Sequence, residues 1–477
     1  MKKLKTVILA MFLFCSVAMG HAGKYSSITW EKFNACGPEM KLIGHMAVRH
    51  AKDIESSSWS VGCETLDRDQ AIFNVYKDHV GELGVKRARL QSGWAKCEKQ
   101  KGIYDFAWLD ECVYGLAEQD VQPWMSLSYG NPIYGSDKHL GAGMAALVYS
   151  EEALSAWLKY VEAIVKRYKD TVYEWEIWNE PNTHSCKEYA VLFMRTAEII
   201  QKVQPEAKIM GLALSGIDME FTEGVLNILK EEGKLNYLDY LTYHPYTRNP
   251  DTSYPQVKEL KRLVDSYDAG IKLYQGENGC PSILEWTHAL SRYPWTEYSQ
   301  AKWLLRRMAG DRMRNISSSV FTIIDLRYPN MLQSFGLIRS NLLHQFIYKR
   351  PAYYGVQHMT GFFDDTVKPI GELQYKCNSS RGMTVAEFRK QNSPVVLLWY
   401  KDQIPSNELK WDLIDLTIKN TKFRDPVYIE MITGRVYEIG KSNYLTVGKN
   451  MRFTKLPVWD SPIMIVEREQ VELREEK

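Results

Sequence analysis

Two glutamates stand where a paired-carboxylate reaction would put them. Glu180 closes the run Trp175-Glu176-Ile177-Trp178-Asn179-Glu180-Pro181-Asn182, and Glu277 lies within Tyr274-Gln275-Gly276-Glu277-Asn278-Gly279. Each follows a stretch that reads as a buried strand and ends in a polar turn. Glycoside hydrolysis needs one such group to protonate the leaving oxygen and another to meet an oxocarbenium-like carbon. The 97 positions between them correspond to about three βα units of roughly thirty residues each. Both side chains would then reach the mouth at the same end of a parallel barrel.

The elements that must hold them alternate from about residue 40 to about residue 360. Segments 42–48, 85–90, 122–128, 172–178, 208–214, 240–244, 271–275 and 318–324 read as strands one to eight. Between them lie helical patterns. After the N-cap candidate Ser150, Glu151 and Glu152 suit the positive end of a helix, and Leu154, Trp157, Leu158, Val161, Ile164, Val165 and Tyr168 recur at helical spacing. Eight such units predict an α/β fold, a closed (β/α)8 TIM barrel over residues 21–362. From 363 to 477 short apolar runs separated by turn residues predict an all-β, β-sandwich domain that braces the barrel.

Composition sets bounds. The 477 residues, 45% hydrophobic and 25% charged, suit a folded chain of two domains. The 29 Tyr and 14 Trp fit either sugar stacking or barrel packing. Lys2, Lys3 and Lys5 before the apolar run 7–14, with Ala18-Met19-Gly20 beyond it, read as a signal peptide over residues 1–20, and hence export to the periplasm or the outside. Phe14 is too bulky for lipid anchoring at Cys15. Losing the three lysines moves the formal charge from +2 to −1. That leaves no basic field for nucleic acid, and no second apolar run suits a membrane span. The cysteines after Cys15, seven in number and without a CxxC pair, predict buried thiols with one or two bridges rather than a metal framework.

On the motifs Asn179-Glu180-Pro181, Gln275-Gly276-Glu277-Asn278-Gly279 and Leu241-Thr242-Tyr243-His244-Pro245-Tyr246, the chain resembles clan A glycoside hydrolases, most of all family 39 and its relatives. The resemblance covers the barrel and implies that Glu180 is the general acid/base and Glu277 the nucleophile of a retaining double displacement. It implies that Asn179 meets the sugar 2-hydroxyl, that His244 and Tyr246 stand near the nucleophile, and that Arg89 holds Glu277 ionised, with Arg87 the alternative if the strand register differs. It also implies a tryptophan after strand eight, where this chain reads Phe321-Thr322-Ile323-Ile324-Asp325-Leu326-Arg327. Asp325 or Arg327 would reach the sugar there instead.

Further sugar contacts are expected on the loops after the strands: His50, Trp94, Tyr129, Asn131, Tyr134, Trp286 and Trp295, with Trp94 and Asn131 directly past strand ends. The chemistry calls for no metal and no organic cofactor. The expected partner is a carbohydrate with a β-type glycosidic bond, cleaved by exo action in a pocket closed by loops such as 134–150. An endo-acting glycanase and a silent sugar-binding barrel are the alternatives.

Overall fold

The computed structural model describes residues 37–135 and 143–474. The expected signal segment 1–20 and part of the 134–150 loop lie outside the described residues. Lys41–His45 is the first strand, β1. The barrel then closes from eight parallel strands: Trp59–Gly62 (β2), Arg87–Gln91 (β3), Gln122–Leu127 (β4), Glu174–Ile177 (β5), Lys208–Ser215 (β6), Tyr240–His244 (β7), Lys272–Asn278 (β8) and Ser317–Val320 (β9). β9 pairs back to β2 through Trp59↔Ser318 and Val61↔Val320, which leaves the barrel without an edge. Strands two to eight fall where the sequence analysis puts them. Strand one does not: the run at 42–48 is outside the barrel, and Trp59–Gly62 takes its place.

The displaced run, β1, pairs antiparallel with Arg435–Glu438. It thereby becomes the edge of a seven-stranded antiparallel sheet formed otherwise by the C-terminal part of the chain. A second sheet of four strands, among them Asp412–Ile418 and Asn450–Val458, completes the β domain. Backbone bonds continue past β1, from Ala47 N–H to the Glu472 carbonyl at 2.8 Å and from Arg474 N–H to the His45 carbonyl at 2.7 Å. The apolar period of β1 thus serves an antiparallel partner nearly 400 residues away.

The helix Glu297–Met313 lies between barrel and β domain and is buried on almost every side. Its charged residues are therefore paired inside. Lys302 donates to Asp460 at 2.6 Å and Arg306 to Asp251 at 2.7 Å, while Trp399 of the β domain reaches the same Asp251 at 3.0 Å. Breaking one partner of such a pair strands a buried charge, so these contacts fix the two parts against each other. The six described cysteines (Cys63, Cys97, Cys112, Cys186, Cys280 and Cys377) are all free thiols, so the expected bridges are absent among the described residues. No described helix is long and apolar enough to cross a membrane.

Candidate active site

Side chains alternate along a strand, so Arg87 and Arg89 of β3 point into the barrel while Ala88 and Leu90 pack outward. On β5, Glu174 and Glu176 do the same. The result is two stacked ion pairs. Low in the barrel Arg87 meets Glu174 at 2.8 Å; one layer up, Arg89 meets Glu176 through Nε at 3.1 Å and also through Nη2. Arg89 is fully buried and serves further acceptors. Its Nη1 donates to Glu277 at 2.9 Å and to Glu64 at 3.0 Å, and Nη2 donates to Asn179 at 2.7 Å. This settles the register in favour of Arg89 over Arg87.

Past β5 the chain turns sharply. Trp178 and Glu180 take left-handed backbone angles, φ +69° and +52°, an arrangement costly for side-chain-bearing residues and held by surrounding structure. Here Trp178 N–H bonds the Leu127 carbonyl at 3.0 Å and Glu180 N–H the Ala213 carbonyl at 2.9 Å. Pro181 then opens a short helical turn. Glu180 is thereby aimed into the mouth, where its carboxylate accepts from His244 Nδ1 at 3.0 Å. Glu277, at the end of β8, accepts from the Tyr246 hydroxyl at 2.7 Å as well as from Arg89. One ligand atom from each of Glu180, His244 and Glu277 falls within 4.8 Å of the other two. A divalent cation could bridge such a trio, and so could a reacting sugar carbon and its leaving oxygen.

The electrostatics distribute the protons. Burial works against charge on His244, but Glu277 and Glu180 outweigh it and raise the imidazole above its usual range. Burial also works against charge on Glu180; the His244 hydrogen bond and charge, aided by Arg89, overcome it and hold the carboxyl below its usual range. One proton is thus held between the two and rests on His244 in the free site. Tyr246 is pushed far up, first by burial and then by Glu277, which keeps its hydroxyl a donor.

Asn179 accepts from Arg89 and donates to the Tyr129 hydroxyl at 2.9 Å, so its amide is oriented from both sides. The other sequence candidates divide. Trp94 and Asn131 are both buried, with Trp94 in the wall of a small cavity. Trp94 is fully buried, stacked on Tyr134 at 5.3 Å, and donates to Glu98 at 2.5 Å. Asn131 donates to the Glu98 carbonyl at 2.8 Å, and Tyr134 to the Glu98 carboxylate at 2.6 Å. These residues tie two loops to one glutamate. His50 is a helix cap that binds Lys52 N–H at 3.1 Å and packs beside Gly81; it follows β1, not a barrel strand, and so misses the mouth. Trp295 is buried and donates to the Leu290 carbonyl at 2.8 Å. Trp286, in contrast, is 71% exposed on the loop after β8.

Beyond β9, Asp325 does not reach toward a sugar. It is buried and forked by Arg350 at 2.7 and 2.9 Å, with Gly336 N–H and Ser340 N–H as further donors. Arg327 is exposed on a hairpin. The hairpin's Tyr328 is mostly buried, and its neighbours Arg68 and Glu277 both act on its hydroxyl. A cavity of about 260 Å³ opens beside the mouth between Arg68, Lys96 and Tyr129. The larger one, about 1040 Å³, lies at the opposite end, where Tyr240, Lys272 and Ser317 begin their strands, away from both glutamates.

Two residues of the cluster, Glu64 and Glu176, are not among those expected from the sequence. The signal for Glu176 was present: Glu174-Trp175-Glu176-Ile177 alternates polar and apolar, which in a barrel strand turns both acids inward. Glu64 follows β2, the strand not recognised, so no pattern led to it.

Residues 81–267 match the family model of glycosyl hydrolases family 39. The chain is similar in fold to a family 39 glycoside hydrolase from Bacteroides cellulosilyticus WH2, with 17% identity, 86% of this chain and 81% of that one covered, and a TM-score of 0.62. It is similar to a monomeric beta-xylosidase from Caulobacter crescentus CB15, with 15% identity, 89% and 98% covered, and a TM-score of 0.58. A family 30 endoxylanase from Clostridium papyrosolvens C71 gives 15%, 90% and 98%, and 0.55. The fold is that of the clan A barrels, and on the family match the chain is an enzyme of the glycosidase class.

Proposed function

We propose that this glycosidase cleaves β-type glycosidic bonds of oligo- or polysaccharides with retention of configuration, by exo action. The observation that carries the reading is the spacing of Glu180 and Glu277 across His244, all within 4.8 Å. Carboxyls about 5 Å apart leave no room for a water between the sugar and the second carboxylate, and so favour a covalent intermediate.

In the first step a Glu277 oxygen attacks the anomeric carbon as the bond to the leaving oxygen breaks. Arg89 and Tyr246 hold Glu277 in position. The proton held between His244 and Glu180 passes through Glu180 to the leaving oxygen. In the second step Glu180 takes a proton from water, and the water oxygen displaces Glu277. Asn179, braced by Arg89 and Tyr129, is oriented toward the sugar 2-hydroxyl, a contact of most value in the transition state. Exo action is supported by the tied-down loops around Glu98, which wall one side of the small cavity. Endo action has the exposed Trp286 in its favour, a rim platform for a longer chain. Export is supported by the N-terminal lysines and apolar run.

A screen of aryl glycosides of xylose, galactose, glucose, arabinose and fucose identifies the sugar. Proton NMR of the first-formed product on that substrate then reads the anomer. Retention is expected, and first-formed product of inverted configuration overturns the mechanism. Single sugars released from one chain end support exo action, and an early spread of oligosaccharides supports endo.

A further inference from the structure

Three carboxylates share the single positive charge of Arg89, and they are not equivalent. Glu277 faces the mouth with its side chain 14% exposed. Glu176 has both oxygens engaged, one by Arg89 and the other by the Thr242 hydroxyl at 2.7 Å. Glu64 accepts from Arg89 with Oε1, while its Oε2 is buried without a hydrogen-bond partner. That oxygen is seated against the Gly62 backbone, and a Cβ on residue 62 would come within 2.1 Å of it. Glycine there makes the space the carboxyl fills, and offers it no donor.

We propose that Glu64 carries a proton on Oε2 in the free enzyme and acts as a positioning residue that exchanges charge with Glu277, so that the total negative charge facing Arg89 stays the same through both steps of the reaction. A buried ionised carboxylate with one bare oxygen is costly, whereas a neutral carboxyl leaves only a hydroxyl unpaired. The groups facing Glu64 agree. Arg89 of β3 favours its charge, and His244 of β7 does so more weakly, while Glu277 of β8 opposes it; Cys63, Tyr76, Tyr246 and Tyr328 are neutral. Burial, the largest influence, with the repulsion from Glu277, pushes Glu64 up to about 7 against the pull of Arg89.

The consequence rests on Glu277 being the nucleophile. When Glu277 becomes a glycosyl ester it loses its charge, the repulsion on Glu64 ends, and Glu64 ionises with its proton passing to solvent. When water cleaves the ester, Glu277 regains its charge and Glu64 takes a proton back. Coupling of this kind is reciprocal.

The test needs no substrate, so its failure is separable from failure of the stereochemical experiment. Infrared titration of the wild-type protein should show a protonated-carboxyl band that fades near pH 7 and is missing in E64Q. In E277Q, a neutral stand-in for the ester, the same band should fade at clearly lower pH. Thermal stability offers a second reading that does not depend on E64Q folding. A carboxyl raised in the folded state binds a proton the unfolded chain has already shed, so folding is favoured less as pH climbs from 4.5 to about 7 and levels off above. E277Q should end that decline at lower pH. A Glu64 band absent from the wild type at pH 5.5, or a titration that E277Q leaves in place, overturns the proposal.

Discussion

Arg89, inside the barrel on β3, and Arg350, at the start of the helix Pro351–Phe362, are both buried guanidinium groups, and they are surrounded in opposite ways. Arg350 forks Asp325, whose remaining needs are met by Gly336 and Ser340 N–H, and its own Nη1 also donates to the Gly336 carbonyl at 2.6 Å. Every strong donor and acceptor there has a partner. Arg89 instead carries three carboxylates and an amide on one charge, with Glu277 left partly open to the mouth. A saturated pair holds structure together. An oversubscribed cation leaves negative charge in excess at the one place where positive charge develops on a sugar, and such preorganised charge is worth most in a buried site.

Four variants would break or sharpen this contrast. Glu277→Ala should lower turnover by roughly 10⁴- to 10⁶-fold without lowering the melting temperature, since it relieves the crowding on Arg89. Added azide should restore product of inverted configuration. Undiminished activity would remove Glu277 from the mechanism. Asp325→Ala should do the reverse, costing about 3–5 kcal/mol by chemical denaturation, because the buried Arg350 loses its forked partner and keeps only Glu297, at 3.2 Å, as a carboxylate partner, while the folded fraction keeps its turnover within severalfold.

His244→Asn sharpens the account of the mouth. In the wild type the raised imidazole retains the shared proton above the usual histidine range, so the alkaline limb of kcat/KM should lie above pH 6.5. In the variant Glu180 holds that proton alone, and the limb should move to lower pH, with a loss on the order of 10²-fold at pH 8. Stability follows the same pair. His244 contributes below pH 6.5 and loses its contribution as pH rises through its raised value; Glu180 contributes above 4.5 and loses it as pH falls through its lowered value. The variant should flatten both limbs of a melting-temperature profile. The smallest effect is expected of Trp286→Ala, a rise in KM within about tenfold and confined to longer substrates. An equal rise for aryl monosaccharides would place Trp286 nearer the cleaved bond than its exposure indicates.

The sequence is legible where local pattern and partner coincide. Parallel strands β3 to β9 announce themselves by apolar runs followed by helical periods, and Glu180 and Glu277 by the polar turns that end two of them. β2 is four residues, Trp59-Ser60-Val61-Gly62, after three serines, and its barrel position depends on bonds to β3 and β9 rather than on its own composition. The stronger run at 42–48 drew the assignment because periodicity reports burial, not the identity of the partner. His50 and Glu64 followed from that one error, the first counted at the mouth and the second left out. Trp94 and Asn131 show another limit: both follow strand ends, but their bonds to Glu98, one within a segment and one across to the neighbouring loop, depend on the fold rather than on local pattern.

The pairing of β1 with the C-terminal sheet turns the polypeptide into something close to a ring. Residues 45–47 and 472–474 are clasped by backbone bonds, so the barrel is strung between two points of one sheet like a bead on a closed cord. Removing residues beyond 363 would strip β1 of its partner as well as the barrel of its brace, and barrel and sheet should melt in one transition. A permuted chain, with 474 joined to 41 by a short linker and new ends opened in an exposed loop, should keep the same architecture.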